Sequence, residues 1–516
     1  MRRPWVLGMA LLAVACTVTQ AKRFVPTPDE LAAQGSEAPY LKVHGTQGEL
    51  TVLEQWELDP AERRITGNGQ RFDAERTKVA SGPLEVGYDD VALLETNAPK
   101  TVVHSGLVVM GVVSAGVLTG TIACAVNPKA CFGSCPTFYR PGQDDEPSQI
   151  LAEGFSASIA RSLEATDVDA LGDWQHDGGP LQLLMRNEAL ETHVVRHVEV
   201  LAVPQPDGAE VLRDGDEFWA SGRSHAPSAC DSDGGDCRLA LRAQDDQAFQ
   251  SRASPRDLAA RETIRLRLPR GEGPVGVVLR ARNTLLNTFL FYQALAFFGP
   301  RAGEQLSALD RAEPDDPAVQ RLRRFGELMA DIEIAVRTRG GRWVSIGSYR
   351  EIGPLAWETK VVPVPEALLA RLPDDVVDVR LRLTQGYWKL DRVALAELDH
   401  PLVPVRLAPT AAWRDDDREP DADALARLLD PESTLVTYPG DRVRLGYDAP
   451  EGPHVLFLDS RGYYYEWMRS EWLFDFDPAA GRELLGTPRR ALRRLAPYYA
   501  RVEAGAEEVF WNSQVR

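Results

Sequence analysis

Residues 191–212 read "ETHVVRHVEVLAVPQPDGAEVL", and two incompatible structures compete for them. His193 and His197 stand four apart, a spacing that on a helix presents two zinc ligands on one face. The valines decide against it. Val194, Val195, Val198 and Val200 among polar residues are the pattern of a half-buried strand. Residues four apart on a strand are about 13 Å apart, and both nitrogens cannot then approach within about 2 Å of one zinc. His193 and His197 are therefore read as polar positions on a half-exposed strand, where one of them can pair with Glu191 or Glu199. Pro206-Asp207-Gly208 turns the chain into a second strand. The fold starts from β structure.

The same alternation extends outward from this stretch. It precedes it in "GGPLQLLMRN" and returns in residues 262–282, "ETIRLRLPRGEGPVGVVLRAR". "NTLLNTFLFYQALAFFG" (283–299) is apolar on nearly every side, which suits a core helix, and Asn283, Asn287 and Gln293 argue against a membrane one. From 328 onward short strands, a Gly-Gly turn and "GYWKLDRVAL" suggest a β-sandwich. "WRDDDREPDADA" (413–424) reads as a charged linker. The arginine-rich "TPRRALRRLAPYYARVE" (487–503) reads as a closing helix.

Near the amino terminus the pattern differs. "MRRPWVLGMALLAVAC" joins a positive start to an apolar core too short for a permanent span, as in a secretory signal. Residues 17–48 are polar enough for a tether, and 49–97 alternate like a small antiparallel sheet. The uncharged run 101–127, "TVVHSGLVVMGVVSAGVLTGTIACAVN", is long enough to cross a bilayer and carries small residues that let helices approach closely. It is read as a helix buried in protein, with a membrane span as the alternative.

The expected class is mainly β with some α: a multidomain chain of antiparallel sandwich or jelly-roll-like domains, a buried apolar helix and a C-terminal helix. The expected segments are a signal (1–16), a tether (17–48), a small β domain (49–145) and a β domain (146–282). A helical connector (283–325), a jelly-roll-like sandwich (326–400), a charged linker (401–430) and a β/α region (431–516) follow.

Six cysteines are present: Cys16, Cys124, Cys131, Cys135, Cys230 and Cys237. Export makes nearby pairs disulfides rather than metal thiolates. Cys131–Cys135 is expected as a clamp at the exit of the apolar run, because C-x-x-x-C with Gly133 and Pro136 departs from the redox spacing C-x-x-C. Cys230–Cys237 is expected to close "CDSDGGDC". In that loop Asp231, Asp233 and Asp236 are calcium candidates, alternate carboxylates beside glycine being the chemistry of calcium loops. A disulfide-closed turn explains the same residues without a cation.

Motifs for acyl transfer, nucleotide binding or zinc proteolysis are absent from the sequence: no G-x-S-x-G, no P-loop, no H-E-x-x-H. A net charge of -18 excludes nucleic acid as a general partner, since phosphate contacts need clustered Lys and Arg. "DSRGYYYEWMRSEWLFDF" (459–476) gathers aromatics, and Tyr463, Tyr465 and Trp467 on one strand face are candidates for contact with a carbohydrate or protein.

Three resemblances add to this. "LAVAC" resembles a bacterial lipobox, with Ala13 where leucine is usual, which implies lipidation of Cys16 and an outer-membrane or surface lipoprotein. Residues 328–398 resemble galactose-binding-like jelly rolls. "NPKACFGSCPTFY", "ALLETN" and "RNEALETH" are similar to text in uncharacterised bacterial exported proteins and lipoproteins sharing a C-F-G-x-C-P block, and they imply export without any activity. The expected function is a non-catalytic envelope lipoprotein that binds an envelope protein or glycan, attached to membrane through its lipid. An exported hydrolase with scattered acidic residues is the alternative. No cofactor is expected beyond calcium.

Overall fold

A computed structural model describes residues 17–24, 31, 41–45, 49–73, 78–103, 135–141, 150–176, 178–189, 191–245, 247–414, 417–466 and 476–506. Cys16, Cys124, Cys131, Trp467 and the apolar run beyond residue 103 lie outside them. The clamp, lipidation and buried-helix expectations that rest on those residues lie outside as well.

The chain is mainly antiparallel β with fewer helices. A first sheet of six strands runs in the order Thr17–Phe24, Val91–Val103, Leu41–Gly45, Leu50–Asp59, Arg64–Phe72 and Lys78–Gly87. Two of these strands fall inside the segment expected as a tether. Leu41 and Val43 alternate into a small core with Leu53, Ile65 and Leu94, a period too short to stand out among polar neighbours.

The remaining sheets pack face to face in two sandwiches. In the first, Leu181, Leu183 and Met185 of strand Gly179–Arg186 meet Val198, Val200 and Ala202 of strand Glu191–Pro204. Strand His454–Glu466 lies beside Glu191–Pro204 along its whole length, and strand Ala165–His176 flanks it on the other side. In the second, Ile264, Leu266 and Leu268 of strand Arg261–Pro269 face Val275, Val277 and Leu279 of strand Val275–Asn283. Strands from 210–283 and from 332–397 share this second sandwich. Strands of the expected 146–282 and 431–516 segments likewise pair with one another, so sheet membership crosses the borders drawn from sequence.

Phe218 from the second sandwich packs on Val168, Ala170, Leu201, Val203 and Phe457 of the first. The Glu191–Pro204 sheet is thus covered on both faces, which is why its strands are so rich in valine.

Helices cap both sandwiches, Ala422–Leu429 the first and the others named here the second. Leu286–Phe298 is apolar all round because its sides enter two clusters, Leu286 and Leu290 in the sandwich core and Tyr292, Leu295 and Phe298 in another. Pro317–Ala330, Ala422–Leu429 and Pro478–Gly486 each begin at an aspartate whose carboxylate accepts a first-turn N–H, from Ala318, Ala424 and Ala480. Pro488–Val502 turns its arginines outward and buries Leu492, Leu495 and Tyr499. Among the described residues no helix is long and apolar enough to cross a membrane. Gly386 makes the tight turn before the last long strand of the second sandwich. It sits at φ +76°, where a Cβ would stand 2.4 Å from the Ala253 backbone.

Candidate functional site

The strand that opened the sequence reading carries a defect in its pairing. Val195 sits opposite Gly462 and His197 opposite Arg461, so Arg196 is an extra residue, a β-bulge. Before it Val195 points into the sandwich core, and after it Val198 does so again. Arg196 and His197 consequently both turn to the opposite face, into a groove of about 1060 Å³. His193 stays behind in the core, where its Nε2 lies 3.2 Å from Glu191 Oε2. It is wholly buried, which corrects the half-exposed position expected for it. The bulge puts the two histidines on opposite faces and removes the zinc reading altogether.

The groove lies where four parts of the chain meet. Its floor is Arg196, His197, Glu199 and Arg461, with Glu164 just ahead of strand Ala165–His176. Arg161 and Ser162 close one end, the Asp310–Pro314 turn forms a wall, and Leu428–Glu432 and Lys78 complete the rim. Six cationic side chains line it (Lys78, Arg161, Arg196, Arg311, Arg323, Arg461) against five carboxylates (Glu164, Glu199, Asp310, Glu313, Glu432). In a chain with 58 basic and 76 acidic residues, that is a local reversal of the charge balance.

Three of those carboxylates are tied down by the protein itself, Glu199 among them through Arg406. Glu164 accepts from Arg196 at 2.9 Å and from Arg461 at 2.7 Å. Asp310 accepts from the Tyr465 hydroxyl at 2.8 and 2.9 Å and from the Arg161 N–H at 2.9 Å. Among the described residues no Phe, Tyr or Trp lines the groove.

Beside the groove His197, Glu199 and Asp459 bring three ligand atoms within 4.8 Å. Arg406 already serves them as a cation: its guanidinium donates to Asp459 at 2.6 Å and also to Glu199, while His197 holds Asp459 at 2.9 Å. Burial pushes the Asp459 carboxyl up, but the hydrogen bonds and charges of His197 and Arg406 outweigh it and hold it below the usual carboxylate range. A metal here would have to displace an arginine.

A second acidic group lies between the two sandwiches. Asp167 and Asp169, two apart on strand Ala165–His176, meet Glu351 with ligand atoms within 4.8 Å, and Glu358 and Lys360 stand next to them. Burial and the Glu351 charge push Asp167 up to about 7 and Glu358 up to about 8. Burial and the neighbouring Asp167 charge raise Asp169. Glu351 goes the other way. Burial opposes its ionisation, but the Lys360 ammonium bound to it and the Ile352 N–H win. Glu153 completes the region: burial, with Glu351 adding to it, carries it up to about 8 against the N–H donors of Ala356 and Leu355.

The residues singled out from sequence fare unevenly. Cys230 and Cys237 form a disulfide with Cα atoms 5.2 Å apart. Cys135 is a buried thiol, and the expected bond from it to Cys131 lies outside the described residues. Its side chain lies in the first sandwich core with Phe138. Asp231, Asp233 and Asp236 do not converge, and the clusters able to hold a cation lie elsewhere. On their hairpin they are exposed, Asp236 accepts from the Arg238 N–H, and Ser232 organises the turn through Gly234 and Gly235. Tyr463 is wholly buried, a core residue and not a surface contact. Tyr465 is half-buried and reaches the groove only through Asp310.

Asp167 and Asp169 are not among the residues that motif and spacing single out, although "TDVDAL" alternates acid with apolar, the signal of carboxylates on one strand face. Arg196 is not among them either, because its orientation depends on a bulge.

No family model matches the chain, and no curated protein matches it. Among solved structures it is similar to a β-porphyranase of glycoside hydrolase family 86 from the human gut bacterium Bacteroides plebeius. The identity is 9% and the TM-score 0.15, over 44% of this chain. The chain spans 36% of that enzyme's length. A protein of the IBDV viral particle is similar at 9% identity and TM-score 0.16, over 97% of this chain and 92% of its own. Likeness at this level carries no functional argument.

Proposed function

We propose that this protein is a non-catalytic binding module of the bacterial envelope, attached through a lipid on Cys16, whose groove takes an anionic glycan. One observation supports the reading above the others. The bulge at Arg196 turns two consecutive polar side chains into a groove at a four-part junction, where cations outnumber carboxylates in an otherwise acidic chain. Such junctions are the usual place for a ligand site. Guanidinium forks suit carboxylate or sulfate groups in a way that a lysine ammonium does not.

The test is calorimetric titration of the full chain with uronate-bearing, sulfated and neutral oligosaccharides. Binding of an acidic class, weakened at least tenfold by Arg196→Ala with Arg323→Ala and reduced by added salt, supports the reading. Equal binding of neutral and acidic sugars, or none of either, overturns it. The hydrolase alternative predicts that the same oligosaccharides are shortened during the titration, which chromatography of the recovered ligand detects. Fractionation and lipid labelling of wild type against Cys16→Ala test the attachment.

A further inference from the structure

The two sandwiches meet at a group of charges that does not balance. Asp167 and Asp169 come from the first sandwich. Glu351, Glu358, Lys360 and Arg213 come from the second, where Arg213 and Lys360 stand side by side on neighbouring strands. With all four carboxylates ionised, four negative groups against two cations would leave two charges in excess, and burying unpaired charge is costly.

The partners already present do not cover the excess. Lys360 is bound to Glu351. Arg213 is 4.0 Å from Glu358, and Glu358 takes the Ala170 N–H with both its oxygens at 3.0 and 3.1 Å. Asp169 is 3% exposed, and its Oδ2 has no hydrogen-bond partner among the described residues. A buried carboxylate oxygen without a partner calls for a ligand.

We propose that Asp167, Asp169 and Glu351 form an all-oxygen site for a hard divalent cation that ties the two sandwiches together. Their ligand atoms lie within 4.8 Å of one another. Oxygens on opposite sides of one ion stand at twice the metal–oxygen distance, about 4.2 Å for magnesium and about 4.8 Å for calcium. The three atoms are therefore already as close as shared coordination requires. Oxygen donors alone select calcium, magnesium or manganese over zinc or copper. A dication cancels the excess of two charges, and Asp167, which is half-buried, leaves a route in from solvent.

The experiment uses the full chain, stripped with chelator and dialysed. Manganese binding is counted by electron paramagnetic resonance, and the melting midpoint is followed as calcium, magnesium or manganese is added separately. The expected result is one manganese per chain at millimolar concentration, with a midpoint that rises with the logarithm of cation concentration. Asp169→Asn weakens binding at least tenfold. Should that variant fail to fold, Asp167→Asn, altering a less buried ligand, gives the same loss. Asp231→Asn, in the disulfide hairpin, leaves binding unchanged. Absence of bound manganese in wild type at 1–5 mM overturns the site (the range lies at or above the weak extracellular affinities of about 0.1–1 mM). Binding that survives both Asp167→Asn and Asp169→Asn, or that is lost in Asp231→Asn, overturns it as well.

Discussion

Replacing Glu153 by glutamine isolates the energetic cost of one buried acid. Its Oε2 accepts the Leu355 and Ala356 N–H groups at 2.7 and 2.9 Å, and a glutamine carbonyl can accept both. The substitution therefore removes a titration while keeping the acceptor. Burial, helped by the Glu351 charge and opposed by those N–H groups and Arg282, carries the carboxyl from 4.5 to about 8. A folded value above the unfolded one means that the folded state holds the proton more tightly. The contribution is complete below pH 4.5 and disappears as pH rises through about 8. Linkage over 3.5 pH units corresponds to about 5 kcal/mol in all, of which about 3 kcal/mol disappears between pH 5.5 and 8. Urea unfolding of wild type and Glu153→Gln at several pH values across that window provides the assay. The stability difference between the two proteins should move by about 3 kcal/mol in favour of the variant as pH rises. Asp167 and Glu358 lose their protons in the same direction, but they do so in both proteins and drop out of the difference. A difference constant to within about 0.5 kcal/mol would show that Glu153 is ionised in the fold and refute the reasoning.

Three further outcomes are expected. Reduction of Cys230–Cys237, or its double replacement by alanine, should lower stability by about 2.5 kcal/mol, the chain-entropy value for so short a loop, read as a lower melting midpoint. Asp391→Ala leaves buried Arg280, now 2.9 Å from that carboxylate, as an unpaired charge and should cost about 3–5 kcal/mol, while Arg280→Met with Asp391→Leu costs much less; additive losses would contradict this. Gly386→Ala should cost about 2–4 kcal/mol through its positive φ and its collision with Ala253, whereas Gly208→Ala, at φ +71° with open space around it, should show the backbone part alone, about 1 kcal/mol.

Local periodicity made the strands, the all-round apolar helix 286–298 and the Cys230–Cys237 pair legible, because each is settled by neighbours within a few residues. The site was not local. Arg196 enters the groove because a bulge forms against Gly462 and Arg461, and no spacing near 196 announces that register shift. Tyr463 looked like a surface aromatic because one strand face was taken as exposed, whereas the sheet is covered on both sides. Glu153 and Asp169 are ordinary acids in sequence. Their chemistry comes from Leu355, Ala356, Glu351 and Glu358, all contributed by a stretch nearly two hundred residues away or more.

The pairing of Glu191–Pro204 with His454–Glu466 also dictates an order of events during synthesis. His197 meets Asp459 across 262 residues, so the middle sheet has two unsatisfied edges until nearly the whole polypeptide exists. The second sandwich, whose strands lie between these two, can close earlier and bring the distant ends together. A chain stopped before residue 454 would hold the paired strands of the second sandwich, without the two helices that cap it after 477, beside an open valine-rich edge. Such a fragment should associate with its own kind, and it should be rescued by supplying the missing strand as a separate peptide.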